Sequence, residues 1–463
     1  MTIAIWEWFD VPEAVPKALA EIVSVAAIAA CVGLRPGSTR AFLYLAPIVL
    51  IAAIGSVTAV MFGDGVRAAV LFARDMLKST VWLVVAFAFV RGRTIGLLAA
   101  ALALLTIVQV PVAMLKLNFI GIDEKFWIGT MHQSAGQLGV LLPLLMVPIF
   151  VVLGLVTRSS FTWFLLFFSF FAIVHEKRLA VFAIPMLAIG VWVMFILQDI
   201  LLRRQTPRLS SAQTRAGTAV AIVAVSAATI HFGIFSIPSL NPTGLYAGGV
   251  LDVRYLFSYV DEYLFRGYVS PLNNPLESLA ADTGIQLGRF ELIKQAMVRM
   301  SEQPLAVSAF GFGGSNTSPS YLLGEDRADI LFKRHGLRGA TPMAVRLLFD
   351  TGYVGLTLFV GWFVLIGTLL VRRMSDADPR IAILAAIATS WHAVAAFDSF
   401  IYSTAFWTYG ILAPAYFLLL GVMLMPRGKL ASLLPDALRV MRLEWPKEYK
   451  PFEQAKSGAV DAQ

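Results

Sequence analysis

The chain of 463 residues is 58% hydrophobic and only 14% charged, with a mean hydropathy of +0.76. A soluble domain carries roughly 25% charged residues, so a soluble globular protein is excluded and an all-α polytopic membrane protein is expected. The net charge of +8 does not point to a nucleic-acid partner, because cytoplasmic loops are basic for topological reasons. Cys31 is the sole cysteine and sits in an apolar run, which excludes an intrachain disulfide and a cysteine-rich metal site. The acidic N-terminal stretch (Glu7, Asp10, Glu13) lacks the basic-then-apolar layout of a cleaved signal peptide.

Apolar runs long enough to cross ~30 Å of hydrocarbon are expected over 17–34, 41–62, 74–90, 95–116, 135–156, 161–175, 179–199, 217–236, 342–371, 381–397 and 405–425. Alternate connections carry Arg35 and Arg40, Arg91 and Arg93, Arg158, the run Arg203 to Arg215, Arg372 with Arg373 and Arg380, and the basic tail. These mark the cytoplasmic side. The N-terminus then lies outside, the C-terminus inside, and about eleven helices cross the membrane. The expected organisation is N-terminal helices over 1–236, an extracytoplasmic loop over 237–341, C-terminal helices over 342–425 and a cytoplasmic tail over 426–463. Membrane lipid is the surrounding partner, and the tail is expected to rest partly on anionic lipid.

A connection as long as 237–341 usually carries function. Within it, 251–266 reads as an aromatic-rich amphipathic helix lying in the interface. Phe290, Ile293, Met297 and Met300 recur at helical spacing, with Arg289 and Lys294 off the apolar stripe and Pro304 closing the helix. The run Gly311-Phe312-Gly313-Gly314 reads as a tight turn, with a phosphate-cradling loop as the sharper alternative; it lacks the Lys-Ser/Thr of a nucleotide P-loop.

Several charges sit where orientation and solubility do not need them. His175-Glu176-Lys177-Arg178 falls between two spans on the outer side, and charges at the edge of spans tend to face an aqueous cavity or to pair. Arg346 and Asp350 are spaced to share a helix face, either as a satisfied ion pair or with Arg346 lining a cavity. Arg178, Arg289 and Arg346 together offer planar donor forks suited to phosphate or pyrophosphate. His335 is a candidate general base, since an ordinary imidazole gains and loses its proton near neutral pH. Asp123-Glu124 and Glu325-Asp326 are weak metal-ligand pairs, and His132 stands alone without metal-ligand spacing.

Taken in order, these residues resemble the membrane O-antigen ligase and polymerase superfamily, which includes exopolysaccharide polymerases. Gly129-Thr130-Met131-His132-Gln133 is similar to its outer segment before a middle span, and Lys177-Arg178-Leu179-Ala180 to its arginine-bearing helix start. Gly288-Arg289, then Gln303-Pro304-Leu305 and the glycine turn, resemble its outer loop. Asp350-Thr351-Gly352-Tyr353-Val354-Gly355 resembles the acidic residue and G-x-x-G that open its following helix. The resemblance covers roughly 125–370. One departure bears on activity: the family's ligases carry a histidine where this chain has Thr341, with His335 further upstream. That favours a polymerase over a ligase.

The resemblance implies a metal-independent, GT-C-like glycosyltransferase of the bacterial inner membrane with its active site facing the periplasm and no cofactor. Donor and acceptor would be glycans on undecaprenyl diphosphate, with Arg178 and Arg289 on the diphosphate and Arg346, Asp350 and His335 completing the catalytic set. Whether a separate chain-length regulator binds is left open. The alternatives are a ligase moving glycan to lipid A core or protein, a transporter or flippase, and a structural scaffold. No internal repeat of the kind found in transporters is present in the sequence.

Overall fold

The computed structural model describes residues 38–62, 65–97, 288–314, 341–376, 378–408 and 412–440, together with 144–149, 186–190 and scattered single positions. Among the described residues the chain is helical, with no strand. Among the described residues, three helices are long and apolar enough to cross a membrane, or four if one bent pair counts as a single span.

The first of them, α1 (Ser38–Phe62), matches the apolar run expected over 41–62. The run expected over 74–90 is divided into α2 (Gly65–Leu77) and α3 (Val81–Phe89). The division has a local cause. Thr80 Oγ1 donates to the Leu77 carbonyl at 2.9 Å, and a hydroxyl competing for backbone groups favours a turn over helix propagation. Nine residues of α3 rise only about 14 Å, too little to cross hydrocarbon alone. The two helices instead run back along α1: Ser56 Oγ donates to the Ala69 carbonyl at 3.0 Å, and the Tyr44 and Phe87 rings lie 6.3 Å apart.

The described part of the long connection forms α4 (Arg289–Ser301) and α5 (Leu305–Phe310). Pro304 separates them, as expected of a residue without an N–H to donate. The buried face of α4 is Leu292, Ala296 and Met300, set against Val345, Leu348 and Phe349. Of the expected stripe, Met300 is buried and Ile293 packs beside it, whereas Phe290 and Met297 are exposed. The small Ala296 lets the two helices approach closely, whereas the bulkier face would hold them apart. Phe290 finds a partner of its own by stacking on Phe265 at 5.1 Å. Of the amphipathic helix expected over 251–266, only Asp261 and Phe265 are described.

The longest element is α6 (Met343–Met374), broken at Gly352, whose φ of 65 and ψ of −166 are not helical. From Tyr353 onward it rises about 33 Å, enough to span hydrocarbon, so the short piece from Met343 to Thr351 is an addition at one end. α6 runs antiparallel to α1. The glycine turn fixes one level, with Gly314 N–H donating to Gly55 O at 2.8 Å and Gly313 N–H to Asp350 O at 3.2 Å. Trp362 Nε1 fixes another by donating to Tyr44 O at 2.9 Å.

α7 (Pro379–Phe397) starts on an Asp378 N-cap with proline in the first turn, a favoured start for a helix. It continues into a π-helical turn, Asp398–Tyr402. Over the run expected at 405–425, the described residues form α8 (Ala405–Thr408) and α9 (Leu412–Leu424). α10 (Arg427–Val440) follows, turned 120° from α9. Leu430 and Leu434 are buried against the bundle while Lys429 donates to Phe87 O at 2.7 Å, satisfying a carbonyl near the end of α3 as basic side chains do at helix C-termini. The core between α1, α6, α7 and α9 is rich in aromatic rings. Trp362, Phe359, Phe406, Tyr416 and Phe417 are among its largest fully buried side chains, with Trp362 meeting Phe363 edge-on at 5.0 Å.

Candidate functional site

Charges collect at the two ends of this bundle. At one end Arg373 donates to Met425 O at 2.7 Å, Arg427 pairs with Asp376 at 3.0 Å, and Arg380 pairs with Asp378 at 2.8 Å. These are the residues that mark the cytoplasmic side by sequence. Partial burial works against ionisation of Asp378, but the side-chain and backbone hydrogen bonds from Arg380 outweigh it and hold this carboxyl below its ordinary range.

The opposite end holds Arg289, Arg346, Asp350 and a residue that sequence reasoning passed over, Asp398. Each is placed by a local irregularity. Gly288 opens α4 with an extended ψ of 155. A Cβ at Gly288 would fall 2.8 Å from the Phe265 backbone, so glycine is what admits that segment beside the helix start carrying Arg289. Gly352 breaks α6 just after Asp350. The carbonyls of Phe349 and Asp350, released from regular helical bonding, accept instead from Phe312 N–H at 2.7 Å and Gly313 N–H at 3.2 Å.

That exchange settles the role of the glycine turn. The amides of Gly311, Phe312, Gly313 and Gly314 donate to Val307, Phe349, Asp350 and Gly55. They are committed to protein carbonyls, and the segment is a docking turn that joins α1 to the break in α6. It is not a phosphate cradle.

Arg346 and Asp350 share one face of α6 and interact through their charges. Asp350 is buried. Arg346 is half-buried, and its Nε is sealed from solvent with no hydrogen-bond partner among the described residues. Buried polar groups are almost always bonded, and each exception calls for a reason. Among the described residues, Arg346 thus interacts with Asp350 through its charge while its Nε is without a hydrogen-bond partner.

Asp398 begins the π-helical turn. Its own carbonyl accepts from Ser403 N–H at 2.9 Å, the bond that defines the wider turn. Its carboxylate accepts from Ser403 Oγ and from Phe406 N–H, the latter at 2.9 Å. The start of α4 packs against this turn, and the Arg289 guanidinium lies close enough to act electrostatically on Asp398. Ser403 O in turn accepts from Met343 N–H at 3.2 Å, tying the first residue of α6 to the same turn. A signal for Asp398 was available in the sequence: it is the sole acidic or basic residue between Arg380 and Arg427, although His392 lies in the same stretch. A lone acid in an apolar run of that length marks function by default.

Two further polar groups lie elsewhere in the bundle. Asp75 Oδ1 accepts from Arg74 Nη2 and Lys78 Nζ, both at 3.0 Å, beside the turn between α2 and α3. His392 is buried between Tyr416 Oη and Phe363 O, the latter at 2.8 Å; both ring nitrogens are occupied, which suits a packing role. Arg178, His335, His132, Asp123-Glu124 and Glu325-Asp326 lie outside the described residues.

The described arrangement thus brings together two guanidinium groups and two buried carboxylates at one end of an apolar helical bundle. No model of a known protein family matches the chain, and no curated protein does.

Proposed function

We propose that the chain is a membrane glycosyltransferase that polymerises glycan repeat units carried on a polyprenyl diphosphate, with its site on the extracytoplasmic side. The observation that carries this reading is the buried Nε of Arg346, unpartnered among the described residues, at the end of α6 remote from the basic residues. A diphosphate oxygen at this end would accept from the half-buried Arg346 guanidinium. Arg289 supplies a second fork nearby, and the sequence adds Arg178.

The chemistry asked of such a site is modest. The bond between the anomeric carbon and the diphosphate oxygen breaks, and a hydroxyl of a second lipid-linked unit forms the new glycosidic bond at that carbon. The electron pair leaves with the diphosphate, where arginines stabilise it. The hydroxyl proton passes to a base, for which Asp350 and His335 are the candidates. The side is assigned from the cations at the other end, since loops rich in Lys and Arg face the cytoplasm.

The test is carbohydrate analysis of a strain expressing Arg289→Ala or Arg178→Ala in place of the wild-type chain. Each variant is expected to insert normally and to leave single, unpolymerised repeat units on the carrier lipid. Wild-type polymer in both variants removes the reading. Long polymer that accumulates on carrier lipid in a deletion strain indicates a ligase instead.

A further inference from the structure

The end of the bundle that carries the basic residues has a built surface of its own. α9 stops at Leu424 and α10 turns 120° away from it, so α10 lies nearer the plane of the membrane than the spanning direction. Three contacts fasten it. Lys429 Nζ donates to Phe87 O at 2.7 Å, Arg373 Nη2 donates to Met425 O at 2.7 Å just before the helix, and Arg427 pairs with Asp376 at 3.0 Å. Leu430 and Leu434 are buried against the bundle, whereas Arg427, Lys429, Ser432 and Asp436 are exposed. An amphipathic helix enters the acyl region by its apolar face. Here that face is taken up by protein, and the outward side of α10 is polar, suited to headgroups.

The segment that follows α3 runs directly against this helix. A Cβ on Gly92 would fall 2.2 Å from Leu433 O and 2.7 Å from Asp436 Cβ, so glycine is what lets the two backbones touch. Arg91 and Arg93 flank that contact and are exposed. Arg40 on α1 is exposed as well. It stands one turn before Tyr44, as Arg91 stands one turn after Phe87. The Tyr44 and Phe87 rings lie 6.3 Å apart, and the two helices are antiparallel, so Arg40 and Arg91 share one level. Among the described residues, the side chains of Arg40, Arg91 and Arg93 make no hydrogen bond or ion pair. Of the acids described at this end, Asp376 is engaged by Arg427 and Asp378 by Arg380. The three guanidiniums therefore outnumber the one remaining carboxylate, Asp436.

A basic connection serves topology by the sign of its charge alone. It does not call for a glycine that draws a polar surface helix in between the cations. We infer that Arg40, Arg91 and Arg93, walled by α10, bind the phosphodiester headgroups of anionic phospholipids on this side of the membrane. A guanidinium meets two phosphate oxygens through parallel N–H donors. Each basic side chain near an anionic bilayer surface strengthens association by about fivefold. The inference stands apart from the diphosphate reading, which concerns the opposite end of the bundle.

Native mass spectrometry of the full-length protein, released from micelles doped with equal amounts of phosphatidylglycerol and phosphatidylcholine, reads which lipid stays bound. The wild-type chain is expected to retain phosphatidylglycerol in preference. Arg91→Gln combined with Arg93→Gln is expected to lower that preference roughly fivefold for each arginine removed. Arg67→Gln, at an exposed position on α2, is the control and is expected to leave it unchanged. An undiminished preference in the double variant overturns the inference. So does an equal fall with Arg67→Gln, which would show a response to net charge alone. Inorganic phosphate that displaces the lipid more strongly than chloride at equal ionic strength overturns the lipid assignment in favour of a small-anion site. Should the double variant fail to insert, Arg40→Gln alone is expected to lower the preference about fivefold, and wild-type retention there overturns the inference.

Discussion

Two glycines of α6 should respond in opposite directions to the same substitution. Gly352 has φ 65 and ψ −166, and a Cβ there would lie 2.3 Å from the Ala309 carbonyl and 2.5 Å from Phe310 N. Those are backbone atoms that cannot rotate aside. The conformation is one that only glycine adopts readily, and forcing another residue into it costs about 1–3 kcal/mol. Relieving the clash would move the glycine turn, which donates Phe312 N–H to Phe349 O at 2.7 Å and Gly313 N–H to Asp350 O at 3.2 Å. Each such bond is worth about 1 kcal/mol net. Gly352→Ala should therefore destabilise by about 3–5 kcal/mol. Gly361 lies in the regular part of the same helix, and a methyl group added there would meet nothing within 4 Å. Gly361→Ala should stabilise by about 0.5–1 kcal/mol through the smaller entropy lost on forming helix. The assay is unfolding of the purified protein in mixed micelles with rising SDS, read by tryptophan fluorescence. Shifts of the same sign for both variants would refute the argument that the break in α6 is held by the conformation of Gly352.

Arg346→Met keeps length and apolar packing but leaves the buried Asp350 without the cation it interacts with; it should destabilise by about 1–3 kcal/mol in the same unfolding assay and abolish polymer in a complementation assay. Trp362→Phe deletes the bond from Nε1 to Tyr44 O that ties α6 to α1, and a loss of about 1–3 kcal/mol is expected in the same unfolding assay. Asp378→Asn tests the other end of the bundle. The folded protein holds this carboxyl below its ordinary 3.8, so its ionised form contributes stability that is fully present above that value. The advantage of wild type over Asp378→Asn should persist at neutral pH and shrink as pH falls from 3.8 through the lower folded-state value. An advantage independent of pH would show that the carboxylate charge is not what stabilises the start of α7.

How much of this was legible in the sequence depended on whether apolar periodicity or a local exception decided the outcome. The spans α1, α6 and α7 followed from hydropathy, because length and apolar content alone set them. The divided run over 74–90 did not, because Thr80 ends α2 through a single side-chain bond to Leu77 O that a hydropathy window averages away. The stripe of α4 was displaced for a similar reason. Phe290 and Met297 fit the helical period as well as Leu292 and Ala296 do, and only the close approach to α6 selects the side bearing alanine. At the site, Arg289, Arg346 and Asp350 could be flagged as charges out of place. That Arg346 Nε is unpartnered among the described residues depends on what surrounds it, and no spacing rule encodes that.

The irregular points of the backbone and the unusual charges coincide, and the physics of a spanning helix explains why. A regular apolar helix satisfies its own N–H and C=O groups and can present a polar group only by burying it sideways. Where the helix is interrupted, backbone groups are released, and in a membrane they must be met by protein or by water in a cavity. At Gly352 the released carbonyls are met by the glycine turn, and at Asp398 the turn is closed by Ser403 and Phe406. Between α2 and α3 the Leu77 carbonyl is met by Thr80, beside Arg74, Asp75 and Lys78. At each of these interruptions the groups named find partners within the protein, and each lies beside a charged side chain.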